Sequence, residues 1–514
     1  MKNYIKIGAI CVLGLFINAC TEEKILDLSP INRISLDQAF SSPSLIESSM
    51  NGVYNAAAVG QYNTTNPNGG RGYLWGAAFI QQGDCRGEDV INTATFYEFT
   101  YTATYDATTP NNVFYWVEGY RLINRCNLMI EGVNTAVSKG IITQSVANNY
   151  IGQAQFLRAI THFELLTHFS NPYNFTVNAT HQGIPYREVG VDSESEVTAE
   201  TTKSRNTVAE CYSKVLADLN SAEALITNTN FFKATKNAAI AFKTRVNLHK
   251  RDWASVISEG LKLSSLSVTA SPNTPFTIPS APNSESIFSI QQGATAGQNA
   301  GVNGALASQY KRRLLVCISP IIWRDPLWLA TDKRREEGVM VVTQSGRKYT
   351  NKYKDDVNYT DAAPIIRYAE VLLNMAEAYA RLPVPNLTAA LTNLNLVRNR
   401  SLANPTTEAY TAASFTTDAN MVGAILTERR IEFVMEGRRW SDIHRLQGDN
   451  LRPIVGIPAK YGNGNPLASD FVLGTPYTGP RTVATINDFR FLWPIPQIEI
   501  VNNPTLAAQQ NPGW

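Results

Sequence analysis

Cysteine is scarce in this chain, with six in 514 residues. Cys11 and Cys20 fall in the N-terminal segment, and Cys85, Cys126, Cys211 and Cys317 lie far apart with no CxxC pair. That spacing speaks against a zinc site. Cys126 and Cys211 sit within helical patterns and read as core thiols; a disulfide framework of four cysteines has three connectivities, and spacing does not choose among them. No HExxH occurs, and His162 and His168 are six apart, too far out of phase to share a helix face as metal ligands. No GxSxG elbow, phosphate-cradling glycine loop or EF-hand loop is present. No catalytic residue, metal or cofactor is therefore expected. Two chemistries stay open: a pair of glycosidase carboxylates, whose members can be distant in sequence, and an ion held by scattered Asp and Asn ligands. An excess of charge is lacking too. The net charge is +2, and without Lys2 and Lys6 of the first nineteen residues 43 basic residues face 43 acidic ones. With no basic tract, neither nucleic acid nor an anionic membrane surface is an expected partner. After Cys20, no apolar run is long enough to span a bilayer.

The first twenty residues have their own design. Lys2 and Lys6 precede an apolar run over 7–17, and Ile17-Asn18-Ala19-Cys20 reads as a lipobox with a small residue before the cysteine. The run is too short to be a spanning helix and has the build of a secretory signal. Cleavage after residue 19 would leave Cys20 as a lipidated N-terminus, so contact with the membrane is expected through the lipid anchor only. Thr21 follows Cys20 where an aspartate would signal inner-membrane retention.

Most of the remainder reads as helix. Ser44 and Glu47 form a capping-box pattern ahead of Ile46, Met50, Val53, Tyr54 and Ala57. Long helices are predicted over about 112–135 and 144–169, and a box from Thr207 to Glu210 opens another toward Leu225. Residues 238–249 with 253–263, and 365–382 with 388–400, form helix pairs like tetratricopeptide repeats, though the period is irregular. Between them, 264–307 and 452–481 are rich in Pro, Gly, Ser and Asn, with one strand predicted at 286–291. Loops this long in a compact domain usually carry function. No linker divides the chain after residue 19. The expected architecture is mainly α: a scaffold of TPR-like helical pairs with long irregular loops and a few short strands. A single domain is expected over 20–514, with 20–43 as tether and entry segment.

The most informative stretch is 428–446, ERRIEFVMEGRRWSDIHRL. Ile431, Val434 and Met435 fall on one helical face, and Trp440, Ile443 and Leu446 recur every third residue beyond a break at Gly437. Charges at pairing distance interleave them: Arg429 with Glu432, Glu436 with Arg439, Asp442 with Arg445. Four other segments occur with it: WVEGYRLINRCNL at 116–128, QAQFLRAITHFELLTHF at 153–169, IRYAEVLLNMAEAYAR with LNLVRNR over 366–400, and FLWPIPQIEIVNNP followed by QNPGW at the end. In this order they resemble the SusD/RagB family of Bacteroidetes surface lipoproteins over nearly the whole chain. Glu22 and Glu23 likewise resemble the acidic export signal of lipoproteins sent to the cell surface. The resemblance implies a binding protein rather than an enzyme, lipid-anchored in the outer membrane and exposed at the cell surface. Such a protein would capture an oligosaccharide or polysaccharide and deliver it to a SusC-like TonB-dependent transporter. The alternative is the same uptake role with an oligopeptide.

A sugar site needs aromatic platforms for C–H faces and polar groups for hydroxyls. Three stretches offer both. Arg71, Tyr73 and Trp75 follow a glycine-rich loop; Asp84 and Arg86 precede an aromatic run containing Tyr97 and Tyr101; Trp323, Arg324 and Trp328 cluster later. Tyr97, Phe99 and Tyr101 alternate as on a half-buried strand, which would turn some of them inward. Asp84 and Arg86 are read either as ligand contacts or as an ion pair holding the loop. Trp440 and His444, within the signature, are read as structural.

Overall fold

Helix caps and turns partition the chain. In the computed structural model, which describes residues 35–60, 70–295 and 297–514, α1 (Pro43–Ala58) is capped by Ser42, whose hydroxyl accepts from the Leu45 amide. The expected box at Ser44 and Glu47 lies two residues too late. Pro43 occupies the first helical position, where its missing N–H costs nothing. The predicted signal and Cys20 lie outside the described residues. Helix α2 is Ala77–Cys85, and α3 (Pro110–Ser138) and α4 (Gln144–Phe169) form a hairpin. The Thr207–Glu210 box is formed at α5 (Val208–Leu225): the Thr207 hydroxyl accepts from the Glu210 amide, and the Glu210 carboxylate accepts from the Thr207 amide at 2.8 Å. Helices α6 (Lys236–Lys250) and α7 (Trp253–Leu261) meet at Arg251, which is left-handed at φ 64°. Then come α8 (Tyr368–Arg381), α9 (Leu387–Arg398), α10 (Asp418–Phe433) and α11 (Arg439–Arg445).

From α3 to α9 each helix packs on the next, and α10 packs on α8 and α9. The seams are aromatic. Trp116 of α3 meets Phe169 of α4 edge-on at 4.8 Å, and Phe163 of α4 meets Tyr212 of α5 at 5.9 Å and Phe242 of α6 at 5.8 Å. The C-terminal half of α4 is buried on all sides, as a helix at the centre of a stack must be. No helix among the described residues is long and apolar enough to cross a membrane.

Strands are short and antiparallel. They are β1 (Val90–Asn92) with β3 (Val316–Ile318), β2 (Ser286–Ile290) with β6 (Ala363–Arg367), and β4 (Val341–Gln344) with β5 (Arg347–Thr350). The predicted helix at 365–382 therefore starts late, at Tyr368. Pro364 and the β-branched Ile365 and Ile366 favour extended backbone, and β2 supplies the pairing edge.

The 428–446 signature is the end of α10, a tight turn, and α11. Met435 and Gly437 are left-handed at φ 67° and 75°. A Cβ on Gly437 would lie 2.9 Å from the Ile80 Cα of α2, so conformation and close approach both call for glycine here. Of the three predicted charge pairs only Asp442–Arg445 forms, at 2.8 Å. The other charges reach across to other elements. Arg429 bonds Asp442 at 3.0 Å, Glu436 takes Lys352 at 2.7 Å and Arg367 at 2.9 Å, and Arg439 takes Glu88 at 2.6 Å. The turn breaks the helix between Glu436 and Arg439, while Arg429 and Glu432 stay on the unbroken α10 and are drawn apart by Asp442 and Arg367. Trp440 donates its indole N–H to the Thr167 carbonyl, and the His444 Nε2 meets the Ser170 carbonyl at 2.8 Å, so both bind the signature to the end of α4.

Candidate functional site

Two loops that cover the scaffold shape an open cleft of about 440 Å³. The first runs on from β2. Gln292 pins it to α1, donating to the Ala58 carbonyl at 3.2 Å and accepting from the Ala300 amide at 3.3 Å. The second, residues 354–361, is wound around its own carboxylates. Asp355 accepts from the Asn358 amide at 2.9 Å, and Asp361 accepts from the Lys354 and Asp355 amides at 2.8 and 2.9 Å. Burial pushes the Asp361 carboxyl up to about 6, against the two amides that favour its charged form. Asn299 ties the loops together, donating to the Asn358 carbonyl at 3.3 Å.

Between the loops stands Tyr359. Its backbone is left-handed at φ 62°, an uncommon conformation for a bulky residue, and its hydroxyl accepts from Arg312 at 2.8 Å. Asn303 and Asn358 are exposed beside it, as are Val302 and Val357. Among the described residues no carboxylate lines this cleft. A partly exposed ring, neutral amides and apolar patches offer stacking and hydrogen bonds without net charge.

A second and a third cleft, about 540 and 640 Å³, are lined in part by β2, the second at Ile290 and the third at Ser286 and Ile287. Gln298 and Gly293 line the second, next to Gly297 and Ala294 of the first, and Asn55 of the second donates to the Gly297 carbonyl at 2.8 Å. The second and third share Asn230 and Phe232. Among the described residues, no group of three or more His, Cys, Asp or Glu side chains is arranged to hold a metal ion.

The predicted aromatic platforms are instead core. Tyr73, Trp75, Tyr97, Tyr101, Trp323 and Trp328 are all buried. Trp75 packs on Phe79 at 4.8 Å and donates to the Thr161 hydroxyl. The 95–102 segment is not a strand: Thr95–Tyr97 is a 3-10 turn and Glu98–Thr102 an α-helix. On a helical path Tyr97 and Tyr101 share the inner face, and Phe99, two residues from each, points outward at 50% exposure. Trp323 and Trp328 meet edge-on at 5.3 Å, with the Arg335 guanidinium over both rings at 4.4 and 4.3 Å. Arg324 is half-buried and donates to the Thr475 carbonyl at 2.8 Å.

Nor do Asp84 and Arg86 pair with each other. Asp84 accepts from the Gly437 amide, and Arg86 donates to the Phe491 carbonyl at 2.6 Å. The two side chains leave the end of α2 in different directions, each taken up by the C-terminal part of the chain. Of the ten sequence candidates Arg71 alone adjoins the first cleft, next to its lining residue Gly70, with its guanidinium 5.1 Å from the Phe96 ring centroid. Sequence reasoning did not find Tyr359. Its signal is an aromatic at the tip of a short Asp/Asn/Thr turn, DDVNYTD, where local hydrogen bonds rather than a core hold the loop.

Comparison with known proteins fits this architecture. Residues 330–514 match a family model described as the SusD family, and residues 24–248 one described as starch-binding, associating with the outer membrane. SusD-like protein P2 of Formosa agariphila is 22% identical over the whole of both chains. The crystal structure of a SusD superfamily protein from Bacteroides fragilis is 26% identical with TM-score 0.71, covering 91% of this chain and 99% of that one. That of a putative sugar binding protein from Bacteroides vulgatus shares the fold at 22% identity and TM-score 0.70, covering 92% and 99%. With both ends of the chain matched and the helical stack in common, this protein belongs to the SusD/RagB family, whose members are binding proteins rather than enzymes.

Proposed function

We propose that this protein captures a glycan at the Tyr359 cleft and delivers it to a SusC-like TonB-dependent transporter in the outer membrane. It would act as a single unit anchored at the cell surface through lipidated Cys20. The observation that carries the reading is the cleft itself: Tyr359 held on a strained, internally bonded loop, among neutral amides and with no carboxylate among the described lining residues. Such a surface suits uncharged hydroxyls and the C–H face of a sugar ring. The starch-binding family model over residues 24–248 and the sugar-binding relative support the same ligand class. Among the described lining residues no carboxylate is present to recognise a peptide's amino terminus, and none belongs to a sheet edge that could extend a peptide backbone.

The test is binding of the mature chain, without signal and lipid, to a panel of polysaccharides and oligopeptides. Retardation by one glycan class, weakened about tenfold or more in Tyr359→Ala and unchanged in Phe489→Ala, supports the reading. Binding to peptides alone replaces the ligand class. Co-purification of an outer-membrane barrel with the lipidated protein tests the transporter.

A further inference from the structure

The third cleft is built around an unusual pair. Phe231 and Phe232 are consecutive, yet their rings stand 4.1 Å apart at 33°. Side chains of neighbouring residues normally diverge. Here two Asx turns bend the loop: the Asn228 carboxamide oxygen accepts from the Asn230 amide at 3.2 Å, and the Asn230 carboxamide oxygen from the Phe232 amide at 3.0 Å. The Phe231 carbonyl also accepts from Ser289 of β2 at 3.0 Å, fixing the loop to the scaffold. Both rings are partly exposed, and neither is among the aromatics packed against the main core. A core role leaves this arrangement unexplained. Two rings held ready by backbone bonds, with no ligand needed to order them, form a pre-organised platform.

The surroundings name the ligand class. Among the described residues neither the second nor the third cleft is lined by an aspartate or glutamate; amide side chains supply most of the polar groups of the second and half of those of the third, beside Lys233 in one and Lys236 in the other. Phe232 lines both clefts, and the second one runs on to the loop that walls the Tyr359 cleft. Along it Tyr54 is locked in place, its hydroxyl donating to Gln153 at 2.8 Å and accepting from the Ala234 amide at 2.7 Å.

We infer that Phe231 and Phe232 form a second stacking site for a glycan chain, joined through the middle cleft to the Tyr359 site, so that a long chain is held at two points. This rests on the glycan reading of the Tyr359 cleft. Two linked contacts raise the affinity for a polymer far above that for a fragment that fills one of them.

The experiment compares the mature chain with Phe231→Ala/Phe232→Ala, Phe232→Trp and Tyr359→Ala. Each is titrated with the polysaccharide found in the panel and with a short oligosaccharide cut from it. The double alanine variant is expected to bind the polymer about tenfold or more weakly and the short oligosaccharide as the wild type does. Phe232→Trp is expected to keep polymer binding. Equal polymer affinity in the wild type and the double variant overturns the second site and leaves the Tyr359 site standing. Equal losses for polymer and fragment overturn it too, because they indicate general damage rather than a second contact. If the double variant does not fold, Phe232→Trp decides: an indole emission that polymer leaves unmoved, against wild type, overturns the site. A wild-type protein that binds no glycan removes the ligand class itself.

Discussion

The guanidinium carbon of Arg86 lies 3.4 Å from the centroid of the Trp440 ring. Arg86 closes α2, and Trp440 belongs to α11, more than 350 residues later. Burial pushes the guanidinium pKa down to about 10, which still leaves it charged at neutral pH. With its bond to the Phe491 carbonyl, Arg86 joins the early part of the chain, the signature and the closing segment at one point. Trp440→Ala is expected to lower stability by about 3–5 kcal/mol. A double-mutant cycle with Arg86→Met is expected to show a coupling of about 2 kcal/mol. Urea denaturation measures both, and a coupling near zero would mean that the ring contributes packing alone.

Arg245 of α6 and Glu370 of α8 share two bonds, at 2.6 and 2.7 Å, in full burial. Arg245 also donates to the Ile365 carbonyl in the middle of β6. Removing only this carboxylate leaves the buried cation to the Ile365 carbonyl and the more distant Glu164 carboxylate at 3.8 Å. Glu370→Ala is expected to lower stability by about 3–5 kcal/mol, and Arg245→Met with Glu370→Leu to recover most of it. Chemical denaturation of the three proteins checks this. A double variant as unstable as the single one would show that the pair is needed for more than its own charge balance.

Cys85, Cys126, Cys211 and Cys317 are all buried and unpaired. Burial raises each thiol above its ordinary range, Cys126, Cys211 and Cys317 to about 12. The native mature chain, with Cys20 removed, is expected to give no reaction with Ellman's reagent at pH 8, and four thiols after unfolding without reductant. A count of two or fewer after unfolding would reveal a disulfide.

The helical stack was legible because its periodicity is local. Thr207 and Glu210, or the spacing along 144–169, need no distant partner to be read. The signature was legible as a pattern, but its charge pairing was not. Which carboxylate Arg429 or Arg439 takes depends on the turn at Gly437 and on helices brought in from elsewhere. The ligand site was the least legible. Trp75, Trp323 and Trp328 have the right chemistry for a platform, yet the same apolar area that would bind a sugar also fills a core, and composition does not separate the two uses. Tyr359 and Phe232 stay partly exposed because hydrogen bonds within their own loops replace a packed interior. The signal is a short Asn/Asp turn beside an aromatic, weaker than a tryptophan cluster.

Asp84 gives a pH test of the same junction. Its carboxylate accepts from the Gly437 amide at 3.1 Å, but burial outweighs that bond and raises its pKa to about 8. In the unfolded chain the group titrates near the ordinary value of about 3.9. Between those values the folded protein holds a proton that the unfolded chain has lost. Stability from this group is therefore fully present below about pH 4 and falls as pH rises toward 8. Lys460, pushed down to about 7 by burial, acts with the opposite sign, gaining stability as pH rises from about 7 toward its unfolded value. Comparison with Asp84→Asn cancels that contribution, because both proteins carry Lys460 and the asparagine still accepts from Gly437. The variant's stability relative to wild type is expected to grow from about pH 4 to about pH 8, by at most about 1.4 kcal/mol per unit, and then to level off. Urea titrations at several pH values measure this difference. A relative stability that falls with pH would place a negative charge on Asp84 in the native protein and assign its stabilisation to the nearby Lys352 and Arg438.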